Sequence, residues 1–269
     1  MDASHLKEVC AEVAHIAGQA AAFIRSQVGQ VVADQVESKE RNSLVSYVDK
    51  KAEEILVNAL TPLVPSPGFI TEEDTVTNNH SEFTWIIDPL DGTTNFLQQI
   101  PIFSVSVALI HHHEAVLGCV VDIMQDETYT AWRGGGAWCN GKPIHVSQTS
   151  ELSEAIIATG FPYHKPGALV SLVDVFQGFL ARARGIRRLG SAALDLTYVA
   201  CGKMDGFYET TLNAWDVAAG TILVREAGGI VSDFEGKGEF VSKQAIVASN
   251  ALLHDTMLAI LSEGAVIKE

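Results

Sequence analysis

The run Trp85-Ile86-Ile87-Asp88-Pro89-Leu90-Asp91-Gly92-Thr93 sets two carboxylates three residues apart at the end of an apolar stretch. A glycine and a threonine follow directly. Oxygen donors of this kind suit Mg²⁺, which keeps some of its waters and takes phosphate oxygens as remaining ligands. Two more acidic stretches stand elsewhere, Thr71-Glu72-Glu73-Asp74 and Trp215-Asp216. Cations held among such groups can stabilise both the attacking and the leaving oxygen of a phosphoryl transfer. An isolated Asp-Gly pair is more often the cap of a turn, but acids delivered by three separate segments argue for a shared ion site. If a helical turn begins at Thr93, its free N–H groups face the same space, where a phosphate could meet the cations. Phosphatases that form an aspartyl-phosphate use aspartates two residues apart, whereas Asp88 and Asp91 are three apart with Pro89 between. The Asp-x-Asp-x-Asp-Gly rhythm of an EF-hand is also missing.

The elements that must carry these groups mix helix and strand. Leu6, Val9, Val13, Ile16, Ala17, Ala20 and Ile24 recur at helical spacing over residues 5–24. A second helix is expected from Val48 to Leu60, stopped by Thr61-Pro62. The polar run Glu37-Ser38-Lys39-Glu40-Arg41-Asn42 lies between them, so two helices should precede any strand. Short apolar runs at Phe69-Ile70 and Trp85-Ile86-Ile87 end in acids, and the second should finish at Asp88, because Pro89 cannot donate to a ladder. Further strands are expected at Ile102–Ile110, Ala115–Asp122, Glu127–Trp132, Ile156–Thr159 and Ala245–Ala248. Helices are expected near 168–183, 191–201 and 215–227. With no linker rich in Pro, Gly or Ser, the chain is expected to form one domain over 1–269, open to two packed lobes of about 1–145 and 146–269.

Composition narrows the function classes. With 33 acidic against 18 basic side chains the formal charge is −15, which repels nucleic acid and anionic membranes. No stretch approaches the roughly 18 apolar residues of a membrane span, and the first residues lack a basic flank before an apolar run, so a cytoplasmic protein is expected. Cys10, Cys119, Cys139 and Cys201 are widely spaced, which fits reduced thiols better than disulfides or a zinc knuckle. His111-His112-His113 reads as a solvated hairpin tip, since successive side chains of an extended segment point to opposite faces. Arg182, Arg184, Arg187 and Arg188 read as a solvated helix end with room for a dimer contact. Gly134-Gly135-Gly136 reads as a tight turn, for it is not followed by the lysine and hydroxyl residue of a P-loop.

Taken together, these segments resemble the inositol monophosphatase family of magnesium-dependent, lithium-sensitive phosphatases. The likeness extends from about Lys39 to the C-terminal region. Its most specific parts are Trp85 to Phe96 and Trp215-Asp216-Val217-Ala218-Ala219-Gly220 running on to Glu226-Ala227-Gly228-Gly229. Arg133 to Gly141, Arg187 to Leu194 and Asp205-Gly206-Phe207-Tyr208-Glu209 are similar as well. The resemblance implies a layered α-β-α-β-α sandwich of the inositol monophosphatase and fructose-1,6-bisphosphatase type, commonly a homodimer. It implies two or three Mg²⁺ ions, with Glu72, Asp88 and the carbonyl of Leu90 on one and Asp88, Asp91 and Asp216 on a second. Glu72 would also reach a third ion through water. Asp49 and Thr93 would orient and help deprotonate the attacking water, with Lys39 close to that water layer. The N–H groups of Gly92 and Thr93 would receive phosphate, and Asp91, Gly190, Ser191, Ala192, Glu209 and Asp216 would face the substrate.

The implied activity is hydrolysis of a small polyol or sugar phosphate, myo-inositol monophosphate first, because Glu209 stands in the matching Phe-Tyr-Glu context. Fructose 1,6-bisphosphate, NADP, histidinol phosphate and 3′-phosphoadenosine nucleotides are alternatives, and a regulatory protein-binding role is another. Three positions depart from the family pattern: a serine in Ser43 to Asp49 where many relatives carry aspartate, Gln98, and Asn213 where some carry histidine. None removes an implied metal ligand.

Overall fold

The computed structural model describes the chain apart from residues 33, 35, 41–42, 113, 162–165, 239–243 and 267–269. The periodic apolar residues at the N-terminus form α1 (Ala3–Gln27), whose first turn is capped by Asp2 Oδ1 accepting from the His5 N–H at 2.9 Å. Next comes an antiparallel ribbon of β1 (Val36–Glu40) and β2 (Ser43–Ser46). The expectation of two helices before any strand therefore fails. A two-stranded ribbon is held by backbone pairing, which needs no apolar period, so the polar run carries it unannounced. α2 (Tyr47–Leu60) follows at once, with Ser46 as its capping residue.

The first sheet contains β3 (Gly68–Thr71), β4 (Phe83–Asp91), β5 (Ser104–His111), β6 (Glu114–Asp122), β7 (Glu127–Trp132), β8 (Gly136–Cys139) and β9 (Lys142–Ile144), in that spatial order. β3 runs parallel to β4, and the later neighbours are antiparallel. β4 does not stop at Asp88 as its proline suggests. It pairs Asp88 with Ser106 and then Asp91 with Ser104, with an irregularity between. One extra residue bulges out at Pro89-Leu90, where a residue without an N–H is tolerated. The short helix α3 (Thr93–Leu97) follows. Gly134 and Gly135 lie in a turn, as expected, Gly136 opens β8, and the Glu226 carboxylate accepts from the N–H groups of Gly134 and Gly136, each at 2.9 Å.

The second sheet has the order β11 (Gly185–Arg187), β10 (Ile156–Thr159), β12 (Gly206–Thr210), β14 (Ala245–Asn250), β13 (Gly229–Ser232). Among the described residues, four α-helices accompany it: α4 (Pro166–Arg182), α5 (Ala192–Ala200), α6 (Ala214–Glu226) and α7 (His254–Val266).

Strand alternation sorts the apolar side chains into layers. Trp85, Ile87 and Val107 pack on Leu6, Val13 and Leu56 of α1 and α2. Their neighbours Ile86 and Ala108 point the other way, onto Leu196 and Leu223 of α5 and α6, and these also meet Ala158, Phe207 and Ala248 of the second sheet. The far face of that sheet, Ile157, Tyr208 and Val247, packs on Phe179, Met257 and Leu261 of α4 and α7. The result is the α-β-α-β-α sandwich. A Cβ at Gly118 would lie 2.5 Å from Ile222 Cγ2, so a bare backbone on β6 lets α6 rest directly on it. No helix among the described residues is long and apolar enough to cross a membrane.

Candidate active site

Elements from both sheets meet where β4 turns into α3. Gly92, with φ +97°, takes the left-handed conformation that ends the strand and starts α3 at Thr93. A Cβ there would lie 3.0 Å from the Ile102 carbonyl oxygen and 3.2 Å from that of Gly190. Thr93 Oγ1 lies 3.0 Å from Asp49 Oδ1 and 3.1 Å from the Leu90 carbonyl oxygen. Asp49 is in turn fixed by α2: its Oδ2 accepts from the Ser46 N–H at 2.9 Å and the Ser46 hydroxyl at 2.8 Å. One turn on, the fully buried Glu53 accepts from the N–H groups of Glu73 and Thr75, both at 2.8 Å. α2 thus holds Thr93 with one carboxylate and the segment after Glu72 with the next.

Each aspartate of the cluster is oriented through one of its own oxygens. Asp88 Oδ1 accepts from the Leu90 N–H at 3.0 Å. Asp91 Oδ2 accepts from the Ser191 hydroxyl at 2.5 Å and the Ala193 N–H at 2.8 Å, both at the start of α5. Asp216 Oδ2 accepts from the Asn213 N–H at 2.6 Å, at the start of α6. Helix starts therefore orient two of the three aspartates, Asp91 of β4 at α5 and Asp216 at α6, while Asp88 is held within β4 itself.

Their proton affinities show what this arrangement costs. Asp88 is pushed well above the carboxylate range, first by burial and then by the charges of Glu72, Asp91 and Asp216. Asp91 is raised to about 6 because burial outweighs its bonds from Ser191, Ala193 and Ala192 and the nearby Arg188. Asp216 rises to about 8, by removal from water and the charge of Asp91. Asp49 is raised by burial against the hydrogen bonds that favour its charged form. Acids that lack water and repel one another are relieved by positive charge, and an all-oxygen donor set fits a hard divalent cation. Asp88, Asp91 and Asp216 are acids of that kind, and Glu72 adds its charge to theirs at Asp88.

Asp91 and Asp216 also line a cleft of about 160 Å³ together with Gly190, Ser191, Ala192 and Glu209. Five further lining residues escaped the sequence reading: Thr159, Gly160, Arg188, Asp195 and Leu212. Arg188 is the end of the basic cluster assigned to solvent, and it stabilises the charged forms of Asp91 and Glu209. Asp195 is 1 % exposed, its Oδ1 has no hydrogen-bond partner, and burial with the charges of Glu209 and Asp91 holds it well above the usual range. A lone acid inside the apolar run from Ala192 to Ala200 was the available signal. Glu209 is raised to about 8 by burial, against the pull of Arg188. Lys39 belongs to β1, and its side chain lies outside the described set.

The model of the inositol monophosphatase family matches residues 5–265. This chain belongs to the inositol monophosphatase family. It is 41% identical over 259 residues to an inositol-1-monophosphatase of Mesorhizobium japonicum, covering 96% of each chain. It is 41% identical over 229 residues to the Nus factor SuhB of Escherichia coli, covering 84% of this chain and 86% of that one. The crystal structure of extragenic suppressor protein suhB from Bartonella henselae superposes with a TM-score of 0.88 at 41% identity, covering 93% and 96%. Inositol monophosphatase relatives are metal-dependent phosphatases, and this chain is a phosphatase of the same layered fold.

Proposed function

We propose that this phosphatase hydrolyses a small phosphorylated polyol, with myo-inositol monophosphate as the first candidate, and that its ion is Mg²⁺. Glu72, Asp88, the Leu90 carbonyl, Asp91 and Asp216 would hold two or three ions. Bound there, Mg²⁺ supplies charge for the equatorial and leaving oxygens of the phosphate and acidifies the attacking water. The remaining work falls to the chain itself. The Thr93 hydroxyl donates to Asp49, which turns its oxygen lone pair toward the water to be oriented. Burial keeps Asp49 Oδ1 a strong enough base to take up the proton that Thr93 relays. The N–H groups of Gly92 and Thr93 would receive the phosphate, with Lys39 beside the water layer. Gly190, Ser191, Ala192 and Glu209 would meet the alcohol hydroxyls, and Arg188 opposes the upward shift that burial imposes on Glu209.

One observation carries this reading: the 3.0 Å contact of Thr93 with Asp49, formed at the turn between the Asp88–Asp91 pair and the cleft. The test is phosphate release with and without Mg²⁺ from inositol monophosphate, fructose 1,6-bisphosphate, NADP, histidinol phosphate and 3′-phosphoadenosine nucleotides. Folded Asp91→Asn and Asp216→Asn variants that both kept near parental Mg²⁺-dependent release would sink the metal assignment. A polyol preference requires inositol monophosphate to lead the panel. The likeness to proteins named Nus factor SuhB favours a second reading, a protein-binding role alongside hydrolysis. Affinity capture with the Asp216→Asn variant would separate the two, since a partner that needs no catalysis should still be retained.

A further inference from the structure

The opposite end of β4 assembles a different set of donors. β5 ends at His111, whose cross-strand neighbour is Phe83, and the two rings stack with centroids 4.5 Å apart and planes 6° from parallel. The next residue, His112, takes φ +51°. In an extended segment these two side chains would point to opposite faces. The left-handed residue breaks that alternation and brings the two imidazoles together, 4.1 Å between centroids. The sequence argument against a histidine site thus fails at one backbone angle.

Glu82 immediately precedes β4 and faces both rings. Its Oε1 lies 3.3 Å from His111 Nε2 and 3.9 Å from His112 Nε2. One ligand atom from each of the three residues falls within 4.8 Å of the other two. Zinc bonds to imidazole nitrogen and carboxylate oxygen at about 2.0–2.2 Å, which sets tetrahedral ligand atoms roughly 3.3–3.6 Å apart. Glu82 Oε1 already stands at that spacing from His111 Nε2 and a few tenths of an ångström beyond it from His112 Nε2, and the two imidazole donors lie within 4.8 Å of each other. His111, with its side chain 14% exposed, is held by the stack, whereas His112 and Glu82, at 72% and 61%, are free to adjust. One fixed arm and two adjustable ones can close on an ion with little backbone movement.

We propose that Glu82, His111 and His112 form a binding site for one divalent transition ion of the zinc, copper and nickel group. Imidazole donors favour these ions over Mg²⁺. Positions left open by the three donors would be filled by water. Glu82 and Asp88 are six residues apart on nearly the same strand, so at the usual rise the site stands about 20 Å from the magnesium cluster. An ion there would tie the start of β4 to the tip of the β5–β6 hairpin.

The experiment is a Zn²⁺ titration of the full chain by calorimetry with Mg²⁺ saturating the carboxylate cluster, paired with the electron paramagnetic resonance spectrum of one equivalent of Cu²⁺. The expected result is one Zn²⁺ per chain and Cu²⁺ coupled to two imidazole nitrogens. His112→Ala should lower Zn²⁺ affinity at least tenfold and remove one nitrogen from the Cu²⁺ spectrum. Glu82→Gln should also weaken Zn²⁺ while leaving both nitrogens. Both side chains are exposed, and unchanged Mg²⁺-dependent phosphate release would certify the fold of each variant. No Zn²⁺ uptake by the parent chain, or equal affinity in parent and variants, overturns the proposal.

Discussion

β4 presents donors at both of its ends, and the two ends are built in opposite ways. At the Asp91 end, Asp88 and Asp91 are buried and joined by Glu72 and Asp216, with Asp91 and Asp216 anchored at helix starts. At the Glu82 end, two imidazoles and a carboxylate stand at a hairpin tip, two of the three open to water. Burial decides how much each set needs its ion. Like charges crowded away from water are costly until a cation neutralises them, whereas an exposed mixed set costs little alone and gains correspondingly less.

The sharpest test of that contrast is Asp216→Asn beside Glu82→Gln. Loss of a ligand that supports several kcal/mol of transition-state stabilisation should lower kcat on the order of 10³-fold. The Glu82 change should leave phosphate release at its parental rate, and a comparable fall in both would collapse the distinction between the ends. A smaller loss is expected for Thr93→Val, which keeps the shape but removes the hydroxyl relayed to Asp49. Steady-state kinetics should show kcat down by about 10²-fold with KM little changed, as for a missing proton-transfer group. Smaller again is Glu53→Gln, which leaves one of the N–H groups of Glu73 and Thr75 poorly paired. It should raise the Mg²⁺ concentration for half-maximal rate roughly tenfold, the usual scale for a group behind the ligands, while kcat at saturating Mg²⁺ stays close to parental.

The gentlest probe changes only pH. The ordinary values of Asp and Glu here are 3.8 and 4.5, and Asp91, Asp216 and Glu209 are raised to about 6, 8 and 8. Between those limits the folded, metal-free chain holds protons that the unfolded chain has released. Its stability therefore falls as pH rises from about 5 to 8. Thermal melts in chelator should show Tm decreasing over that window, and the gain in Tm on adding Mg²⁺ should be larger at pH 8 than at pH 5. A metal-free Tm that climbs with pH would contradict the repulsion at the Asp91 end.

Much of this could be read from the sequence because apolar period and acid placement are local signals. α2 is written in Val48, Ala52, Leu56 and Leu60, and Glu127–Trp132 and Ile156–Thr159 match their strands residue for residue. The β1–β2 ribbon left no such trace, since polar residues pair through the backbone alone. Arg188 was hidden by its neighbours Arg182, Arg184 and Arg187, because counting charge along a chain cannot tell which guanidinium borders the cleft. Asp195 was hidden by its helix, and His112 by a rule that holds only while φ stays negative. In each case the missing information was a direction in space, set by residues distant in the chain.

The irregularity in β4 bears on the spacing that first drew notice. Three is an odd number, and in an unbroken strand residues separated by an odd count face opposite sides of the sheet. Asp88 and Asp91 nevertheless pair with Ser106 and Ser104, two positions of even separation and so on one side of β5. The supernumerary residue at Pro89-Leu90 corrects the parity. A regular ladder through the same residues would pair Asp91 with Phe103 instead and turn its carboxylate to the face opposite that of Asp88.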